Sequence, residues 1–378
     1  MSGMRRLRLL AILAIACLPF ASPRLAVAQR ADSSTAFAAL VARLSEPGGY
    51  FDSDNIITNE ASYLHVASQL AKVGVRGGLY LGVGPDQNFS YVALVRPSLA
   101  LMIDIRRDNL LEHLLFKSYF VVARNRLEYL CLLLGKPVPA DVDRWSARPT
   151  SELLAYIART PTDSAVVRAT RAASNARIAG FRVPLDARDR QTIDAYRAEF
   201  VESGLDTRYS SLGRNNRMDY PSFGQLARAT DRAGREVGYL GSEDAFQFVR
   251  SMQLRDRIVP IVGNVAGNQA MRAIAQYARE NRLVVSAFYL SNVEQYLIQR
   301  DQGFDRYATN VNALPHDASS VIIRSYFGRF GRAHPLYVPG PGNVSTSMIE
   351  PIDSFLKRVG ARQIGGYQDL VFEGYIPP

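Results

Sequence analysis

Gly78-Leu79-Tyr80-Leu81-Gly82-Val83 runs into Gly84-Pro85-Asp86, and twenty residues after Gly84 a second apolar run, Leu99-Ala100-Leu101-Met102-Ile103, ends on Asp104. Each run is short, uninterrupted and closed by turn residues, the pattern of a strand buried on both faces. Between them a helical stretch starts after Gln87 and stops near Pro97. A strongly apolar helix is expected from Asp108 to Leu134. The order strand, turn, helix, strand, helix predicts the start of a parallel, doubly wound sheet.

Working outward, residues 34–46 carry Phe37, Leu40, Val41 and Leu44 at helical spacing, and Pro47-Gly48-Gly49 ends that helix. Phe51-Asp52-Ser53-Asp54-Asn55 has oxygen ligands that suit calcium but lacks the rest of an EF-hand loop, so it reads as a loop with helix-capping residues. Asn59-Glu60 and a helix from Ser62 to Val73 follow. On the other side, residues 135–257 are richer in Arg, Asp, Ser and Thr, with amphipathic helices expected near 150–158, 161–177 and 189–203. Tyr209 to Tyr220 is a polar loop containing Arg214-Asn215-Asn216-Arg217. This stretch reads as a helical insertion or cap on the sheet, with a separate small domain as the alternative.

Strand–helix rhythm returns at Ile258 to Asn264, a strand and turn. A helix from Gln269 to Asn281, a strand from Leu283 to Leu290 and another from Ser319 to Tyr326 continue it. The tail is expected to hold a Pro/Gly loop from Val338 to Asn343, a helix at 347–359 and a last strand near Asp369 to Phe372. The expected fold is therefore α/β, a Rossmann-like, mostly parallel sheet. It divides into a targeting segment (1–28), an N-terminal part (29–134), a mainly helical insertion (135–257) and a C-terminal part (258–378).

The N-terminus reads as an export signal. Arg5, Arg6 and Arg8 precede the apolar run Leu9 to Ala21, and Ala26-Val27-Ala28 offers small residues for cleavage after Ala28. The run is short for a membrane span. A lipoprotein signal on Cys17 and a retained membrane anchor are the alternatives. The expectation is a periplasmic or secreted protein, or one tethered through this segment. Loss of residues 1–28 lowers the formal net charge from +10 to +6. That excess is spread along the chain, which fits solubility or attraction to an anionic surface and gives no sign of a specific nucleic-acid partner. The mature chain keeps one cysteine, Cys131, inside an apolar run, which excludes an intrachain disulfide.

In a doubly wound sheet, ligands bind beyond the carboxyl ends of the strands. The candidates for a small-molecule or nucleoside ligand are thus Gly82, Gly84, Asp86 and Asn88 after the first strand and Asp104 after the second. Gly263-Asn264 follows the third, and Tyr289, Ser291, Asn292 and Glu294 follow the fourth. Glycine lets backbone approach a ligand, and a carboxylate at position 104 can accept both hydroxyls of a ribose diol. This layout resembles class I S-adenosylmethionine-dependent methyltransferases over residues 78–108 and 258–326. The resemblance implies that Gly82 and Gly84 wrap the cofactor, in a loop that also offers Asp86 and Asn88 as cofactor-binding candidates, that Asp104 holds its ribose and that Asn264 reaches its adenine. Tyr289 and Asn292 would act on the acceptor, with Ser291 and Glu294 contacting it. Tyr80 stands where that family has an acid, and Asp86 where its third loop glycine falls; an acid there would repel the cofactor's carboxylate. The chain also resembles an uncharacterised bacterial family that shares Leu81 to Phe89 and Ser291-Asn292-Val293-Glu294.

Each candidate has a plainer role beside it. Gly82 and Gly84 would permit a tight turn, and Asp86, Asn88 and Asn292 would cap helices. Asp104 would pair with Arg106 or Arg107. His65, His113, His316 and His334 are scattered, with no metal-type spacing, and His316-Asp317 lacks a Gly-x-Ser-x-Gly elbow. Arg214, Arg217, Arg329 and Arg332 would gather around an anionic substrate or form a solvated face. The competing function is a non-catalytic envelope protein that keeps the sheet without the cofactor, its pocket over Gly84 filled by Tyr80 or Phe89.

Overall fold

The computed structural model describes residues 23–210, 220–299, 302–328, 332–340 and 342–378, with side chains from residue 34 onward. The targeting segment up to residue 22, the Arg214-Asn215-Asn216-Arg217 loop and Arg329 lie outside the described residues. Among these residues no helix is long and apolar enough to cross a membrane.

Six strands form one sheet: β1 (Leu79–Val83), β2 (Leu99–Asp104), β3 (Ile258–Val262), β4 (Val285–Ser291), β5 (Val321–Tyr326) and β6 (Thr346–Pro351). Their spatial order is β3-β2-β1-β4-β5-β6. The first five run parallel and β6 is antiparallel to β5. Strands β2, β3 and β5 are buried along their whole length. That explains why β2 and β3 read as continuous apolar runs rather than alternating ones, while β5 carries the buried polar pair Arg324 and Ser325. The chain order reverses between β1 and β4, so the carboxyl ends of these two strands diverge and open a crevice.

One sheet edge is closed. In β3, Pro260 pairs with Met102 on its inner side and has no N–H to offer outward. The chain following the helix Pro23–Leu44 covers the rest: Glu46 N donates to Val262 O at 2.9 Å, and Val262 N donates to Ser45 Oγ at 3.1 Å.

Helices fill the stretch between β2 and β3, including Arg107–Phe120, Arg126–Leu133, Thr150–Arg159, Ser164–Gly180, Ala187–Ser203 and Glu243–Leu254. The expected single helix from Asp108 to Leu134 is two helices. Asn125 is extended and its side chain accepts from Glu128 N at 3.0 Å, starting a new helix inside a run whose apolar character never changes. Two expectations for the tail fail. Residues 346–351 are strand β6 and the helix begins only at Ile352, while residues 367–372 are a helix and not a strand. There Asp369 Oδ2 accepts the N–H groups of Gly365 and Gly366 at 2.8 and 2.9 Å, anchoring a helix start where a short apolar run alone is ambiguous.

Candidate functional site

The turn after β1 is held from behind by its own side chains. Asn88 Nδ2 lies 3.0, 3.0 and 2.9 Å from the carbonyl oxygens of Val83, Gly84 and Pro85, while Asn88 Oδ1 accepts from Tyr80 Oη at 2.7 Å. His113 Nε2 also sits 3.0 Å from Gly84 O. A carbonyl partner requires a donor, so the ring carries its proton on Nε2. Burial pushes the His113 pKa down to about 4, which keeps the ring neutral near pH 7. With its oxygen tied inward, Gly84 adopts φ +88°, a conformation that favours glycine.

Above this turn lies a cleft of about 330 Å³, within the range of about 300–1,000 Å³ typical of small-molecule sites. Gly84 and Gln87 line it from β1, Asp104 from β2, Gly263 and Asn264 from β3, and Tyr289, Ser291 and Asn292 from β4. Asp104 is buried; its Oδ1 accepts the Arg106 N–H at 2.9 Å and lies 3.4 Å from Arg106 Nε. The same arginine donates Nη1 to Ser53 O and Asp54 O at 2.8 and 2.7 Å, fastening the 50–59 loop to the end of β2. That loop contributes Tyr50, Phe51, Asn55 and Thr58 to the cleft wall. Asn264 Oδ1 also closes a turn by accepting Ala266 N at 2.8 Å. Neither Tyr80 nor Phe89 lines the cleft. Both are fully buried, Tyr80 on Asn88 and Phe89 among His113, Phe116, Phe120 and Tyr239.

Four sequence candidates sit elsewhere. At Gly82 an added Cβ would lie 1.8 Å from Asn88 Oδ1 and 2.7 Å from the Tyr80 ring, so this glycine makes room for the Asn88 brace rather than for a ligand. Asn88 is consumed by that brace. Asp86 turns to the opposite side, where its Oδ2 accepts from Tyr239 Oη at 3.0 Å. Burial raises its pKa to about 6. The expected repulsion of a cofactor carboxylate therefore does not arise from this side chain. Glu294 is locked in a buried ion pair with Arg324, Oε2 to Nε at 2.5 Å and Oε1 to Nη2 at 3.1 Å, and Arg324 Nη1 also reaches Glu350 Oε2 at 2.5 Å. This lattice anchors the helix Val293–Gln299, at whose start Ser291 adopts φ +55°.

Sequence reasoning missed three contributors. Glu60, fully buried beneath the cleft, accepts from Tyr289 Oη at 2.9 Å and from the hydroxyls of Ser291 and Ser325. Burial raises its pKa in spite of those three hydrogen bonds. No local signal marks it, since Tyr289 and Ser291 lie 229 and 231 residues away along the chain. Glu46 accepts the N–H groups of Asn264, Gln269 and Ala270 at 2.6, 3.2 and 3.0 Å, setting the turn after β3. An aromatic mouth is the third: Tyr50, Phe51, Tyr209, Tyr220, Tyr296 and Phe327 line the opening, with Phe51 and Tyr296 edge to face at 4.9 Å. Among the described residues, no lysine or arginine lines the cleft, and no group of three His, Cys, Asp or Glu is placed to hold a metal ion.

No curated protein matches the chain. A family profile does match, over residues 55–136 and 187–369. It takes in all six strands and most of the cleft, and passes over the helices Thr150–Arg159 and Ser164–Gly180. Matched over well more than half of its length, the chain belongs to the family defined by the Domain of unknown function (DUF7790).

Proposed function

We propose that the cleft binds S-adenosylmethionine or a related nucleoside and that the chain is a methyltransferase-like protein. The observation that carries this reading is the convergence of Gly84, Asp104 and Asn264 on one cleft at the carboxyl ends of three adjacent parallel strands. Asp104 is the group for a ribose diol: Arg106 fixes the carboxylate through Oδ1, and two charge-assisted hydrogen bonds from a diol are worth about 1.5–3 kcal/mol each. Asn264 stands one strand further out, on the side of a base. The lining carries Asp52 and Asp104 and no described cation, which suits a neutral or cationic nucleoside better than a diphosphate-bearing cofactor. When bound, S-adenosylmethionine supplies an electrophilic methyl group. Tyr289, Ser291 and Asn292 then face the acceptor and orient it.

Calorimetry with S-adenosylmethionine, S-adenosylhomocysteine and adenosine tests the proposal. Adenosine is included because the export signal read in the sequence asks for a ligand found outside the cytosol. Binding should weaken roughly a hundredfold in Asp104→Asn, which keeps an acceptor for the Arg106 N–H but removes the charge. Absence of heat from all three ligands at millimolar concentration, in a sample with intact circular dichroism, refutes the proposal.

A further inference from the structure

Beneath the β4 end of the cleft a single carboxyl gathers three hydroxyls: Tyr289 from β4, Ser291 from its end and Ser325 from β5. Ser325 Oγ in turn lies 3.1 Å from Ser347 Oγ, which lies 3.2 Å from Ser62 Oγ. Glu60 is itself sealed from solvent and does not line the cleft; Tyr289 lines it with its side chain fully buried, and Ser291 lines it half-buried. A hydroxyl has one proton and two lone pairs. When both cleft-lining hydroxyls spend their protons on Glu60, what they turn toward the cleft is lone pairs. Tyr289 Oη receives a long contact from Gln87 Nε2, at 3.4 Å, and lies beside the Ser291 hydroxyl, whose Oγ also has Asn292 Oδ1 at 3.4 Å.

We infer that Glu60, acting through Tyr289 and Ser291, makes the β4 end of the cleft a hydrogen-bond-accepting surface, and that the second reactant is a planar apolar molecule bearing an O–H or N–H donor. The donor requirement comes from the polarity of the two hydroxyls. The planar, apolar requirement comes from the aromatic mouth, where Phe51, Tyr296 and Phe327 flank the same end. The inference takes from the proposed function only that this end receives the second reactant. Glu60 is a positioning residue here: it touches no ligand and sets the direction of two protons.

This assignment has a pH signature. The groups facing Glu60 are the phenols Tyr80 on β1, Tyr91 on the helix Gln87–Val95, Tyr289 on β4 and Tyr367 on the helix Tyr367–Phe372, together with the serine hydroxyls. Burial holds all four phenols well above their ordinary range, so they stay neutral and Glu60 is the group that changes. Once protonated, Glu60 donates to one of its three partners, and where that partner is Tyr289 or Ser291 its own proton becomes free to turn into the cleft. Acidification should therefore erode the acceptor character, and burial moves that change to higher pH than for an ordinary carboxyl.

The test is a ligand-observed NMR titration of the full chain with phenol, aniline and anisole, three planar probes of similar size of which anisole lacks a donor. Phenol or aniline should bind about tenfold more tightly than anisole, and whichever does so tells O–H from N–H recognition. Glu60→Gln reverses the polarity, because its amide donates where the carboxylate only accepted, and Tyr289→Phe removes one of the two hydroxyls. Both should narrow the gap. In the unsubstituted chain the gap should shrink as pH falls, while Glu60→Gln should show no such trend, a readout that a purely structural role for Glu60 does not move. Anisole binding as well as both donors, no binding of any probe, or a gap unchanged in both variants overturns the inference. S-adenosylhomocysteine titrated into the same samples reports on the nucleoside proposal separately: its failure with the donor preference intact sinks that reading alone.

Discussion

Asp86 carries the sharpest quantitative prediction, because the structure moves it from the ligand side of the glycine turn to the interior. Its carboxyl is buried, meets Tyr239 Oη through Oδ2, and has no described partner for Oδ1. Burial raises its pKa from the ordinary 3.8 to about 6. Each unit is worth about 1.4 kcal/mol, so the ionised side chain costs about 3 kcal/mol of stability at pH 8. The sign follows from linkage. A raised folded value means that this residue's contribution is fully present below pH 3.8 and is lost as pH climbs through about 6. Asp86→Asn removes the ionisation while keeping an acceptor for Tyr239. Urea unfolding should therefore find it more stable than the unsubstituted chain by up to about 3 kcal/mol at pH 8, and by less than about 1 kcal/mol at pH 4. Calorimetry should find nucleoside binding unaltered, since Asp86 does not line the cleft. A stability difference independent of pH, or a large loss of ligand affinity, would show that Asp86 is solvated and faces the ligand, and would refute the reasoning.

Two further predictions follow from packing. Arg324→Met removes the counter-charge from Glu294 and one partner of Glu350, which keeps Arg358 Nη1 at 3.0 Å; it should cost about 3–5 kcal/mol in urea unfolding, and a loss under about 1 kcal/mol would refute the buried lattice. Gly82→Ala and Gly84→Ala should differ in cause and size. At Gly82 the new methyl collides with Asn88 and Tyr80 and breaks the brace behind the turn, for about 3 kcal/mol or more; at Gly84 its nearest neighbours are Asn55 Nδ2 and Gln87 Nε2 at 3.2 Å, leaving mainly the φ +88° strain of about 1–2 kcal/mol. Thermal midpoints in the reverse order would contradict this division of labour.

The parallel half of the sheet was legible because buried parallel strands announce themselves as apolar runs closed by turn residues, as at Leu99–Asp104 and Ile258–Val262. Strand β6 was not, because its polar residues are the interior ones: Ser347 joins the hydroxyl chain and Glu350 pairs with Arg324 and Arg358, so Thr346–Pro351 shows no apolar periodicity. The break after Phe120 was hidden for the opposite reason, since both helices flanking it are apolar and only Asn125 marks the restart. At the site, strand ends located Gly84, Asp104, Asn264, Tyr289, Ser291 and Asn292 in one cleft. What strand ends cannot tell is which way a side chain leaves the turn. Gly82, Asp86 and Asn88 lie within the same few residues as Gly84 and serve the back of the loop. Glu60 was invisible because its partners are brought to it only by the folded sheet.

The outer side of β3 has a consequence for life in a crowded compartment. A strand at the end of a sheet is an open invitation to a passing chain with matching amides. Here Pro260 supplies no hydrogen to answer, and Ser45 and Glu46 already occupy the neighbouring Val262 amide and carbonyl. A second molecule cannot zip onto that flank without first stripping away the segment that follows the N-terminal helix. The far flank, at the antiparallel strand, carries a strap of its own, Ile376 N donating to Ile349 O at 2.9 Å, so sheet-to-sheet polymerisation, the usual hazard for a chain refolding at high local concentration, meets chain already in place at either end.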